Sequence, residues 1–315
     1  MPALLAVVLW GVMFSVMGEA VHLVDPFNLT AIRYVLATLL LIAILAWREG
    51  RAGLRFGGRT VEVAVLGAVG FAAFNLLLSV GLTYTQPQHA ALMMALTPLL
   101  TVLVRWARDG ERPRPVTLAL VAVALVGVAL VITRGRFDTL AAVNVGDLLM
   151  LAAVTGWAVY THGAGRFGTW SPLRFSTLSA LAGTVVVVVV TAVADAFGWQ
   201  HLPTPSAVRS AGWELAYIAV AGTVIGALAW NTAVRRLGAG NAALFMNLVP
   251  VTAFVVAMLH GYRPGVAEVA GALITIGALV TANLYARGAL TRRSTAAVTV
   301  LAREEQMSGV HAEAA

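Results

Sequence analysis

Apolar residues run along this chain in long blocks, without the strict alternation of a half-buried strand or the narrow stripe of a helix at a water surface, and polar residues gather between the blocks. A helix needs about 20 mostly apolar residues to cross roughly 30 Å of hydrocarbon. Charge-poor blocks of that length predict ten membrane-spanning helices, at about 2–23, 29–46, 61–84, 88–106, 115–133, 146–165, 173–194, 213–235, 240–260 and 265–286. The expected fold class is an all-α integral membrane protein. The first block opens at the initiator Met with no basic leader and no small-residue cleavage pattern after it, so a retained helix is expected there instead of a signal peptide.

The blocks also repeat. HAALMMALTP at 89–98 returns as NAALFMNLVP at 241–250, identical at six of ten positions. GERP at 110–113 corresponds to GYRP at 261–264, GVALV at 127–131 to GALVT at 277–281, and Trp10 to Trp157. Five blocks thus match the five that follow, and residues 1–137 and 138–286 read as two copies of one unit, with 287–315 a flexible cytoplasmic tail. A unit with an odd number of spans enters the membrane from the opposite face when it is repeated. The expected architecture is therefore two inverted five-helix repeats, the plan of many secondary transporters, in which substrate binds near the bilayer midplane between the halves. Simple enlargement of a helical bundle by duplication is the competing reading.

These residues resemble the drug/metabolite transporter superfamily, in its EamA-type branch of ten-helix carriers. The likeness rests in the first half on LLAVVLWGVMF, LTAIRYVLATLLL and AALMMALTPLL followed by GER. In the second half it rests on VGDLLMLAAVTGWAVYT, VAGTVIGALAWNTAVRRLGAGNAALFMNLVPV and GALITIGALV, and it extends to about residue 286. The resemblance implies a basket of helices around a central cavity, lined mainly by the first, third, fourth, sixth, eighth and ninth spans. Members move amino acids, nucleosides, other metabolites or drugs, often outward. One position departs from the pattern: the Gly-Glu usual after the ninth helix is Gly261-Tyr262 here, whereas the first half keeps Gly110-Glu111.

Composition agrees with a lipid setting, since 60% of residues are hydrophobic and 11% charged, against roughly 25% charged in an ordinary soluble domain. A net charge of +7 invites a nucleic-acid reading, but nucleic-acid binders gather their basic residues on one face, and here they fall in loops. All 21 basic residues are arginine. With the N-terminus inside, 16 lie on the cytoplasmic side and five (Arg33, Arg134, Arg136, Arg209, Arg263) on the other, so the positive-inside rule places both termini in the cytoplasm. The absence of cysteine excludes disulfides and thiolate metal sites.

An ionisable group inside the bilayer is expensive and marks function by default. None is expected at mid-span: Glu19, Glu62, Asp147, Glu214 and Glu268 all fall near helix ends, as do His22, His89, His162 and His260. An uncharged midplane predicts neutral or zwitterionic cargo and little or no proton coupling. Glu19 and Arg33 sit at the ends of neighbouring spans, where they form either a structural ion pair or a recognition and proton-carrying site. His89, beside Gln86 and Gln88, is either a solvated cap or a gate. For the substrate pathway the mid-span residues Trp10, Phe14 and Ser15, Asn75 and Ser79, Met93, Trp157 and Tyr160, and Asn247 are the candidates. A buried amide needs a partner, and substrate or a neighbouring helix supplies it equally well. Pro98 and Pro250, at matching places in the fourth and ninth spans, act as hinges for alternating access or as static bends.

No cofactor, metal ligand set or enzyme motif emerges. GAGRFG at 163–168 matches a dinucleotide fingerprint in letters only, because it ends a membrane helix and follows no strand. GTVIG at 222–226 reads as a small-residue packing patch. The expected function is export of a small metabolite such as an amino acid or nucleoside by a carrier, with a small-molecule substrate and the lipid bilayer as its partners, no nucleic acid, and a monomer as the default state. Proton-driven efflux of lipophilic cations and a non-transporting receptor or scaffold are the alternatives.

Overall fold

The computed structural model describes residues 2–285 apart from residues 95, 111, 113, 114, 136–143, 239–241, 243, 279 and 283. The expected tail and the junction between the two expected copies lie outside the described residues. Among the described residues there is no strand. The helices are Pro2–Ala20 (α1), Pro26–Glu49 (α2), Thr60–Gly81 (α3), Pro87–Met94 (α4), Thr97–Asp109 (α5), Pro115–Thr133 (α6), Val145–Ala164 (α7), Pro172–Ala196 (α8), Pro205–Ser210 (α9), Gly212–Leu237 (α10), Leu248–Leu259 (α11) and Val266–Ala282 (α12). By length and composition α1, α2, α3, α8 and α10 are able to cross a membrane, and α6, α11 and α12 contribute shorter apolar stretches.

Proline opens many of these helices because a first-turn residue has no helical acceptor for its N–H, so nothing is lost by lacking one. Ser171 precedes Pro172 and accepts from Arg174 N at 2.9 Å, and Asn144 and Asp147 cap α7 reciprocally at 3.1 and 3.2 Å. The same rule corrects the reading of Pro98 and Pro250 as bends within continuous helices. α4 ends at Met94, and Pro98 lies in the first turn of α5; a 3₁₀ turn at Leu244–Asn247 precedes α11, whose third residue is Pro250. Both prolines lie in the first turn of an α-helical segment, Pro98 just after Leu96 and Pro250 after a 3₁₀ turn that runs straight into α11.

The packing is reciprocal. α1 lies against α10 and α11, α7 lies against α3 and α5, and α2 packs on α8. α6 and α12 cross at glycines: a Cβ on Gly127 would lie 2.6 Å from Gly271 O, and one on Gly271 2.5 Å from Gly127 O. Close crossings at small residues are a main source of helix association in lipid, where burial from water contributes little. Along the flanks Leu39, Val126, Val189 and Leu273 stand exposed, as suits a hydrocarbon surrounding.

α3 and α10 share a further irregularity, a π-helical stretch at Ala68–Ala73 and at Tyr217–Ile225 respectively. Such wide turns free backbone carbonyls for side chains and cluster at functional sites.

Candidate functional site

At the centre of the bundle the two tryptophans in corresponding positions meet. Trp10 of α1 stands edge-on to Trp157 of α7, ring centroids 5.5 Å apart and planes at 87°. Trp230 lies 5.5 Å from Trp10, and Phe74 and Tyr160 lie 5.3 and 5.2 Å from Trp157. The π turn of α10 leaves Gly222 O as acceptor for Trp10 Nε1, at 2.9 Å. A Cβ on Gly226 would come within 2.5 Å of that indole nitrogen, so glycine is what lets α1 and α10 approach closely enough for Trp10 to form a wall.

That wall bounds a cavity whose empty volume is about 450 Å³, mouth included. Trp10, Met13, Phe14, Arg33, Tyr34, Phe71, Phe74, Asn75, Met94, Trp157, Gly222, Thr223 and Ala227 line it. The lining is aromatic and aliphatic with a few polar groups, the usual make-up of a small-molecule site.

Arg33 is the exception to an uncharged interior. It is 1% exposed, eighth in α2, and its guanidinium donates to Met17 Sδ at 3.1 Å and to Asn75 Oδ1, with Cζ 4.6 Å from the Tyr34 ring centroid. The expectation of no ionisable group at mid-span is therefore corrected. So is the Glu19–Arg33 pair: Glu19 is exposed at the end of α1 while Arg33 points its bonds to α1 and α3 inside the bundle. Asn75 is held by its own amide, which donates to Phe71 O at 2.8 Å.

Of the remaining expected residues, Trp10, Phe14, Asn75 and Trp157 line the cavity, and Tyr160 stands behind it. Ser79 is fully buried and bonded to Thr30 at 2.8 Å, Ser15 is half-buried outside the lining, and Met94 takes the place expected of Met93. Asn247 is buried away from the lining with both side-chain polar atoms unpartnered. His89 is no solvated cap. It is buried against Glu268, Nε2 to Oε1 3.0 Å, and Glu268 also accepts from Tyr262 Oη and from Gly265 N at 2.7 Å, with Arg134 Nε 3.6 Å away. Tyr262, the departure from the family's Gly-Glu pattern, thus works through a glutamate six residues on, at the start of α12. Glu268→Ala is expected to lower stability by about 1–3 kcal/mol, the cost of leaving buried partners unsatisfied, read as a lower melting temperature of the detergent-solubilised protein.

A wider second cavity, with an empty volume of about 930 Å³, lies at the opposite end of the bundle from His89, where Phe175, Asn231 and Arg235 are among its walls. Tyr160 separates the two. It stacks on Phe175 at 5.5 Å, touches Phe71 at 5.2 Å, and accepts from Asn231 Nδ2 at 3.2 Å. Phe71, Phe74 and Asn231 escaped sequence reasoning, although Phe71 and Phe74 share a helical stripe with Asn75, and Asn231 is an isolated amide in an apolar run, the same signal that singled out Asn75.

Apolar helices with exposed apolar flanks around a buried polar and aromatic cavity define a multi-pass membrane protein. The EamA-like transporter family model matches residues 1–133 and 144–284. The chain belongs to that family, and hence to the drug/metabolite transporter superfamily of membrane transporters. It is 30% identical over 292 residues to the uncharacterized transporter YrdR of Bacillus subtilis, covering 90% of each chain. It is 26% identical over 267 residues to a probable amino-acid metabolite efflux pump of Escherichia coli, covering 82% of this chain and 85% of the relative. A crystal structure superposes with a TM-score of 0.67 over 91% of this chain and 96% of its own, at 23% identity, which shows the shared fold.

Proposed function

We propose that the chain is a carrier of ten spans that exports a small zwitterionic metabolite of amino-acid type by alternating access, its two five-helix units (1–137 and 138–286) inserted in opposite orientations. The reciprocal packing carries this reading: the opening helix of each unit lies on the third helix and a later one of the other, and the central cavity forms where Trp10 and Trp157 meet. Matching π turns in α3 and α10 and matching helix breaks before Pro98 and Pro250 support it, as do the two stretches matched by the family model. The first of these irregular stretches follows Met94, which lines the central cavity, and transporters tolerate irregular backbone where it borders a cavity. The prolines shape these breaks, and His89–Glu268 ties the first unit to the second at one end, a contact that opening there must release.

Arg33 favours the zwitterionic form of the expected cargo over the neutral one. Among the described residues no Asp or Glu lines the central cavity, which supports exchange without obligatory proton coupling. The Escherichia coli relative's name, an amino-acid metabolite efflux pump, supports the direction and the cargo type. With Arg33 inside the bundle, the loop arginines stand at sixteen against four, which supports cytoplasmic termini in the inner membrane. Two fused units already enclose a site, so the working state is taken as a monomer.

Because the native chain has no cysteine, single cysteines report sidedness cleanly. A cysteine at residue 2 is expected to react only from the cytoplasm and one at residue 140 only from outside; labelling of both from one side refutes the inverted arrangement. Solute counterflow in sealed proteoliposomes tests transport itself.

A further inference from the structure

Among the described residues no carboxylate answers the charge on Arg33. A guanidinium keeps its proton under all ordinary conditions and carries five N–H donors. Here they meet only neutral groups, the sulfur of Met17, a weak acceptor, the carbonyl of Asn75 and the phenol of Tyr34; Nε is buried without a hydrogen-bond partner. Among the described residues no Asp or Glu lines the cavity that Arg33 borders. Burying an uncompensated ion costs several kcal/mol, so a counter-charge is expected to arrive from outside the chain.

We propose that the cargo's carboxylate docks on Arg33, which makes the substrate class a monocarboxylate with an apolar or aromatic body; this rests on the carrier reading above. Nε–H and an Nη–H form an edge that pairs with both oxygens of one carboxylate, the planar two-bond geometry at which arginine excels. The rest of the lining explains the body. Trp10, Phe14, Phe74 and Trp157 offer rings and no charge, a poor surround for a small hydrated inorganic anion and a good one for a flat or branched hydrocarbon. An ammonium group on the cargo meets only the π faces of those rings, which attract a cation modestly. The carboxylate is therefore the required group and the ammonium an accessory one. Nucleosides, which carry no such anion, fall outside the class.

The test uses the full-length protein in proteoliposomes, with quenching of intrinsic tryptophan fluorescence as the binding signal and counterflow as the transport signal. The probes are 3-phenylpropionate, L-phenylalanine, L-phenylalanine methyl ester and phenethylamine, with sodium chloride as the inorganic competitor. The two carboxylates are expected to bind at least about tenfold more tightly than the ester and the amine, the effect of one charge-assisted hydrogen-bonded contact. Arg33→Gln is expected to collapse that preference and Arg33→Lys to keep part of it. A merely structural role for Arg33 would weaken all four probes alike and leave the preference intact, which overturns the proposal. Equal binding of acid and ester by the unaltered protein, or no binding of either carboxylate, overturns it too, and neither outcome depends on whether a variant folds. Chloride competing as well as 3-phenylpropionate would make this an inorganic-anion site and also overturn it. A nucleoside that exchanges across the membrane without competition from 3-phenylpropionate sinks the carboxylate class and leaves the carrier intact. Absence of counterflow for every solute, with binding preserved, overturns the carrier reading instead.

Discussion

Asn75→Leu is expected to destabilise the protein by about 3–5 kcal/mol, more than the loss of an amide suggests. Asn75 Oδ1 is the amide oxygen that accepts from the Arg33 guanidinium, beside the Tyr34 phenol. Its orientation is set from within α3, because Asn75 Nδ2 donates to Phe71 O at 2.8 Å and turns the carbonyl toward Arg33. Leucine fills the space and accepts nothing, so a buried cation is left with a thioether and the Tyr34 phenol. Removing one partner of a buried polar pair costs about this much because the charge stays behind. Arg33→Met removes the charge itself and should leave stability nearly unchanged or raised while abolishing carboxylate-dependent exchange. Combining the two substitutions is then expected to recover most of what Asn75→Leu alone loses. Melting temperatures of the four proteins in one detergent form the cycle that measures this coupling; additive losses would show that Asn75 acts independently of Arg33.

The error in placing Arg33 has a specific origin. Sequence patterning starts the second helix near residue 29, whereas Pro26 opens it. Three residues move Arg33 from the second turn to the third, from near a helix end to a buried position facing the cavity. Block length and low charge made the apolar helices and the internal repeat legible, since both depend on composition over many residues and tolerate small shifts in boundary. Phase within a helix tolerates none, and one residue separates Met93, expected in the lining, from Met94, which is there. The His89–Glu268 contact was hidden for a different reason. His89 follows Gln86 and Gln88 and reads as wet, while its partner lies 179 residues away in α12. Continuous helices through Pro98 and Pro250 were expected because a proline inside an apolar run signals a bend and a fresh start alike, and only the backbone before it separates the two. The π turns have no signature in hydrophobic pattern at all, yet one of them frees the carbonyl that fixes Trp10.

Tyr160 is where the two cavities would join, and two substitutions there are expected to diverge. The side chain is fully buried and packs among Trp157, Phe71 and Phe175, while its hydroxyl accepts from Asn231 and lies 3.4 Å from Ser179 Oγ. Tyr160→Phe keeps the ring and loses one hydroxyl, at a cost of about 1 kcal/mol. Asn231 still donates to Ser176 Oγ at 2.6 Å, so the amide is not stranded, and counterflow should persist. Tyr160→Ala removes the ring, and deleting a buried aromatic of this size costs about 3–5 kcal/mol. The void it leaves lies between Phe71, which lines the central cavity, and Phe175 and Asn231, which line the wider one. A carrier must keep its site sealed from one side while it is open to the other, so the alanine protein is expected to lose coupled exchange even at temperatures where it stays folded. Comparing counterflow with melting temperature separates the two effects. Equal exchange by the alanine and phenylalanine proteins below their melting points would show that Tyr160 supports the fold without partitioning the pathway.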